Sequence, residues 1–159
     1  MLSNKTVILQ DLTINDADHF YKLYQHPAIT ASLEGGIFLP HETPVAFTSR
    51  IISLCNYIFT IRLKQEPAFI IGDCALHHFN KENRSVEIGG SLLPEYWGKG
   101  LMQFAFELAI NLAKEQLNVV TIMGRTHWQN EKAIRLVEKM GFVKHRMDGT
   151  ALIMQKTLY

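Results

Sequence analysis

Cysteine is scarce. The 159 residues hold two, Cys55 and Cys74, both in apolar contexts and without CxxC or histidine-paired spacing. That excludes a disulfide framework and a thiolate metal cage, and it reads as two reduced core residues of a cytoplasmic protein. Charge of one sign is lacking too. Sixteen Lys and Arg against fifteen Asp and Glu leave a net charge of +1, which gives no pull toward nucleic acid or a membrane surface. No apolar run reaches membrane-spanning length, and the N-terminus lacks a basic stretch followed by an apolar one. Internal repeats, low-complexity tracts and linkers are absent. The seven histidines lack ligand spacing, so no metal is expected. What remains is one domain over 1–159, with 47% apolar residues and enough length to bury a core without staples.

The residues that are present alternate between strand and helix patterns. Thr6 to Ile14 alternates loosely and predicts a first strand. Asn15 is expected to cap a helix carrying Asp16 and Asp18 in its first turn and ended by Pro27. Residues 28–42 read as a loop with Gly35-Gly36 and Pro40 as breakers. Thr43-Pro44 is a cap followed by a proline at the first helical position, opening a second helix through Cys55. Tyr57 to Lys64, Phe69 to Phe79 and Ser85 to Leu93 follow as strands, the first two joined through Gln65 to Ala68. Leu101 to Leu117 is a helix apolar nearly all round, and therefore one buried against a sheet. Val119 to Gly124 is a fifth strand. Asn130 caps an amphipathic helix that stops at Gly141, and the strands Phe142 to Met147 and Ala151 to Thr157 close around Asp148-Gly149.

The junction between the fourth strand and the long helix carries the most chemistry. Gly98 and Gly100 stand one residue apart within Trp97-Gly98-Lys99-Gly100-Leu101-Met102. A strand that turns through glycines into a helix N-terminus leaves main-chain N–H groups unpaired at the positive end of the helix dipole. Such a turn suits a phosphate or pyrophosphate, although it can also be a plain strand-to-helix connection. The spacing G-x-x-x-x-G-K-[ST] of a nucleotide hydrolase is missing.

Glu87-Ile88-Gly89 followed by Leu92-Leu93-Pro94-Glu95-Tyr96-Trp97-Gly98-Lys99-Gly100 resembles the fourth strand and pyrophosphate loop of the GNAT acyltransferases, and within them of the RimJ/RimL-type N-acetyltransferases. Asn130, Ala133 and Lys139-Met140-Gly141-Phe142 resemble that branch's asparagine-capped helix. Leu9 to Tyr24 is similar to its opening strand and acid-rich helix start. The resemblance spans essentially the whole chain. It implies an α/β fold with a mixed, mostly antiparallel sheet, helices on both faces, and a cleft where the fourth and fifth strands splay.

Acetyl-CoA is the co-substrate the resemblance implies. Its pyrophosphate would lie on the main-chain N–H groups of Gly98, Lys99, Gly100, Leu101 and Met102, with Trp97 in the first position of the loop. Met102 stands where the family loop ends in a small residue. Leu92 and Leu93 would offer backbone groups to the pantetheine and one N–H to the developing oxyanion. Asn130 would contact CoA, and it also serves as a helix cap worth ~1 kcal/mol.

The implied acceptor is a primary amine, either a protein N-terminus or a small molecule. It must be neutral to attack, and at ~1.36 kcal/mol per pKa unit that costs roughly 1 kcal/mol at pH 7 for an α-amine and over 4 for a lysine. A base offsets this. Glu87 is the first candidate, because strand alternation turns it away from Val86 and Ile88; the alternative is a solvated strand glutamate. His127 is the second candidate, whereas His77 and His78 read as strand-edge residues. Val137 and Ala133 stand where relatives carry an acidic Tyr or Ser, which keeps open a rival reading as a non-catalytic acyl-CoA-binding module. Glu34, Glu42 and Asp148 are loop acids that could attract a cationic acceptor. A homodimer is left open.

Overall fold

Eight strands form one sheet in the computed structural model, which describes residues 1–31 and 36–158. In chain order the elements are β1 (Leu2–Ser3), β2 (Val7–Asp11), α1 (Ala17–Gln25), α2 (Pro27–Thr30), α3 (Pro44–Leu54), β3 (Tyr57–Leu63), β4 (Gly72–Asn80), β5 (Ser85–Leu92), α4 (Leu101–Gln116), β6 (Thr121–His127), α5 (Glu131–Lys139), β7 (Val143–Asp148) and β8 (Ala151–Thr157). The sheet order is β1-β2-β3-β4-β5-β6-β8-β7. Every neighbouring pair is antiparallel except β5 and β6. Parallel neighbours need a long crossover, and α4 supplies it. No helix among the described residues is long and apolar enough to cross a membrane.

Both faces of the sheet are covered. On one, Leu101, Ala105, Ala109 and Ala113 of α4 and Ile134 and Val137 of α5 pack on Val86, Ile88, Leu92, Ile122 and Met154. Small alanines let α4 lie close to the strands. On the other face α1 and α3 close over Ile58 and Ala75 through Phe20, Leu23, Tyr24 and Phe47. Phe47 is fully buried, stacked on Phe20 at 5.4 Å between ring centroids and edge-on to Tyr24 at 5.8 Å.

Several expectations shift. Asp16, not Asn15, precedes α1, and its carboxylate accepts the Thr13 N–H at 3.1 Å. Pro27 ends α1 but also opens α2 inside the segment expected to be loop, because a first helical position needs no N–H. Phe69 is exposed and lies in the turn before β4, whose pairing starts at Gly72. The two-residue β1 was not anticipated. The Gly35 breaker and Glu34 lie outside the described residues.

Candidate active site

The ladder between β5 and β6 runs from Ser85–Thr121 to Ile88–Gly124 and ends there. Beyond it β5 stays on β4 as far as Leu92, and β6 stays on β8 as far as His127. The two strands therefore part, and the edges of Gly89–Leu92 and Arg125–His127 face a cleft. Gly90 marks the opening: it is exposed, while Ile88 and Leu92 on either side are buried. A side chain at Gly90 would also not fit, since its Cβ would meet the Asp73 carbonyl at 2.4 Å.

Main-chain groups at the cleft are sorted by the same register. The Leu93 N–H donates to the Ile71 carbonyl at 2.9 Å, so it is not available as an oxyanion donor. Alternation turns the Leu92 N–H the other way, toward the splay. The Leu92 carbonyl accepts the Trp97 indole N–H at 2.7 Å, and Lys132 of α5 sits 4.8 Å above the Trp97 ring. Trp97 thus ties the end of β5 to the start of α5. Two of the three stretches that carry the resemblance meet in space.

Gly98 and Gly100 both have φ of +75°, a left-handed conformation that strains any residue with a Cβ. Gly100 is the N-cap of α4 and has no side chain to satisfy the N–H groups of the first turn. The buried Leu101 and partly buried Met102 turn their side chains to the core and leave their N–H groups at that turn. Lys99 lies 5.6 Å over Tyr96 and, with Lys5 and Lys64, lines a neighbouring pocket. The cradle fits an anionic diphosphate. Asn130 accepts the Ala133 N–H at 3.3 Å, as a cap should.

Glu87 faces away from the α4 core, as alternation predicts. His77, its register partner on β4, donates from Nε2 to Glu87 Oε2 at 3.1 Å, and His78 Nδ1 reaches the same oxygen at 3.1 Å. Hydrogen bonding from His77, assisted by His78, outweighs partial burial and holds the Glu87 carboxyl at about 2. The two histidines read as strand-edge residues are therefore part of the Glu87 site. Adjacent strand residues should point to opposite faces, so strand alternation does not predict that both converge there. His127 does not join them. It lies four positions beyond Met123, the register partner of Glu87, or ~13 Å along the strand. Its Nδ1 accepts the Gln129 N–H at 3.1 Å.

A second acid escaped sequence reading. Asp73 on β4 is buried, with Oδ2 accepting the Tyr24 hydroxyl at 2.6 Å and Oδ1 accepting the Ser91 N–H at 2.9 Å. Burial pushes Asp73 up to about 6, against those hydrogen bonds. Burial and the neighbouring Asp73 push the Tyr24 phenol well above its usual value. The network links α1 to the cleft-lining end of β5. Of the three loop acids, Glu42 is clasped by Arg50 at 2.7 and 2.8 Å, and Asp148 pairs with Arg125 at 2.9 Å. Val137 is core, consistent with its packing rather than with acid chemistry.

Residues 6–143 match the acetyltransferase (GNAT) domain family, and the chain belongs to it. It is an acetyl-CoA-dependent acetyltransferase, as the fold, the cleft and this match together define. The chain is 25% identical over 151 residues to an uncharacterized N-acetyltransferase, p20, of Bacillus licheniformis, spanning 90% of this chain and 82% of that protein. A spermidine N-acetyltransferase from Vibrio cholerae, in complex with CoA and spermine, superposes with a TM-score of 0.78 at 22% identity, over 97% of this chain and 96% of that one. A ribosomal-protein-S5-alanine acetyltransferase from Vibrio fischeri gives 0.79 at 20% identity, over 99% and 96%. At those identities the two structures share the fold.

Proposed function

We propose that the chain transfers an acetyl group from acetyl-CoA to a primary amine by direct attack within a ternary complex. The observation that carries this reading is the splay of β5 from β6 beside a left-handed glycine turn, with Glu87 on the same strand two residues before the splay. The turn from Gly98 to Met102 holds the diphosphate. Asn130 and Trp97 hold the cleft's far wall. The Leu92 N–H stabilises the oxyanion, since the Leu93 N–H is already engaged. Glu87, ionised through the physiological range, assists removal of the amine's proton by way of the His77 ring, whose Nε2–H it accepts at 3.1 Å. His127 is the weaker candidate base, because its Nδ1 lone pair is committed to Gln129.

Direct attack is favoured over an acetyl-enzyme because neither cysteine is an activated nucleophile. Cys74 is buried, and burial pushes the Cys55 thiol up to about 11. Two acceptor classes remain, a protein N-terminus as in the RimJ/RimL branch and a small amine as in the spermidine enzyme. Arginines neutralise both Glu42 and Asp148, which favours an acceptor with one amine over a polycation. A homodimer and a cytoplasmic location accord with this reading.

Titration calorimetry with acetyl-CoA, followed by thiol release with a panel of amines and N-terminal peptides, tests it. The wild type binds acetyl-CoA and releases thiol with at least one acceptor. Glu87→Gln keeps the affinity and loses ~10²–10⁴-fold in turnover. Binding with no release for any amine points instead to an acyl-CoA-binding module. Undiminished turnover in Glu87→Gln removes the base assignment.

A further inference from the structure

A regular strand sends successive side chains to opposite faces, so His77 and His78 should point apart. They do not. The β4–β5 register slips between His77 and Asn80, and His78 takes φ of +53°, a left-handed value uncommon for a residue with a Cβ. The bulge swings His78 back beside His77, with ring centroids 4.7 Å apart and planes crossed at 76°. Both rings aim a nitrogen at one carboxylate oxygen, each at 3.1 Å. The three candidate ligand atoms, one from each residue, lie within 4.8 Å of one another.

From this geometry we infer that His77, His78 and Glu87 form a binding site for a divalent transition-metal cation of the zinc class. Two imidazoles and one carboxylate suit Zn²⁺, Co²⁺ or Ni²⁺, whereas Mg²⁺ and Ca²⁺ prefer all-oxygen sets. Metal–ligand bonds of about 2.0–2.2 Å, opened at a tetrahedral angle, put donor atoms about 3.3–3.6 Å apart, near the 3.1 Å between each histidine nitrogen and the Glu87 oxygen. Binding replaces two N–H···O hydrogen bonds by lone pairs, with the ring protons moving to His77 Nδ1 and His78 Nε2. The side chain of His78 is 72% exposed while that of Glu87 is 14% exposed, so the carboxylate is held from below and the ion enters from solvent. Three protein ligands on one side leave the remaining positions to water or an exchangeable ligand, as in open rather than structural sites.

The metal claims the oxygen that receives the two histidine protons. On the reading of Glu87 as the proton-accepting carboxylate, zinc therefore inhibits acetyl transfer. This consequence rests on that reading, but the binding itself does not.

The test is calorimetric titration of ZnCl₂ into the EDTA-treated, dialysed full chain, with the visible spectrum of the Co²⁺ form as a second readout. The expected result is one equivalent bound and an intense low-coordinate cobalt spectrum. His78→Ala, at an exposed position, and His77→Ala should each weaken binding ~10-fold or more with an unchanged far-UV circular dichroism spectrum. Failure to bind one equivalent overturns the site, as does binding that both variants leave unaltered. Zinc inhibition of the wild type with a midpoint at the measured Kd supports both the site and the role of Glu87. Full turnover at saturating zinc leaves the site standing and removes the base assignment.

Discussion

Two carboxylates one strand apart respond to their surroundings in opposite senses. Glu87 is held at about 2 by its imidazoles, below the ordinary 4.5, and so favours the folded state above pH 4.5 and loses that contribution as pH falls toward 2. Asp73 is pushed up to about 6 from 3.8, so the folded chain holds its proton longer than the unfolded one. Its contribution is complete below pH 3.8 and is lost as pH rises through 6. At ~1.36 kcal/mol per unit this amounts to roughly 3 kcal/mol. Urea denaturation between pH 4 and 7 should show wild-type stability falling relative to Asp73→Asn over that window. A parallel pair of curves would mean that Asp73 titrates normally. Tyr24→Phe removes the 2.6 Å donor to a buried carboxylate and should cost about 1–3 kcal/mol.

At the level of elements, the glycine turn before α4 has a backbone requirement separate from its ligand. Gly98 and Gly100 have nothing within 4 Å of a built Cβ, so an alanine there meets no clash and is penalised by φ alone. Gly100→Ala should lower stability by about 1 kcal/mol and weaken acetyl-CoA binding tenfold or more as the first-turn N–H groups rotate. Calorimetry and thermal melting on the one variant check both, and an unchanged affinity would separate the turn from the diphosphate. Elements closed by short-range chemistry were legible in the sequence. Thr43-Pro44 opens α3, and Asn130 and Gly141 bound α5, because each cap acts within four residues. The convergence of His77 and His78 was not legible, since a bulge is a property of register between strands. Nor was the Tyr24–Asp73 bond, whose partners stand 49 positions apart in sequence. The cleft itself followed from the resemblance, whereas the commitment of the Leu93 N–H to Ile71 needed coordinates.

Among the described residues the sheet carries two hydrophobic cores, and the smaller one lies beneath α1 and α3. Phe47 anchors it, touching Phe20, Tyr21, Tyr24 and Phe38. Phe47→Ala should cost about 3–5 kcal/mol by denaturant unfolding and should loosen Tyr24 over Asp73. A loss below 1 kcal/mol would show that the face repacks. The one parallel junction among the described strands gives the sheet's architecture a further meaning. A meander from β1 to β5 and a three-stranded leaf of β6, β8 and β7 are stitched by four residue pairs and one helical crossover. On the proposed function, a donor wedged into the gap would act as extra rungs of that stitching and couple substrate occupancy to the cohesion of the two leaves. Hydrogen exchange at Gly90 and Leu92 should slow when acetyl-CoA is added, and the distant β2–β3 amides should not change.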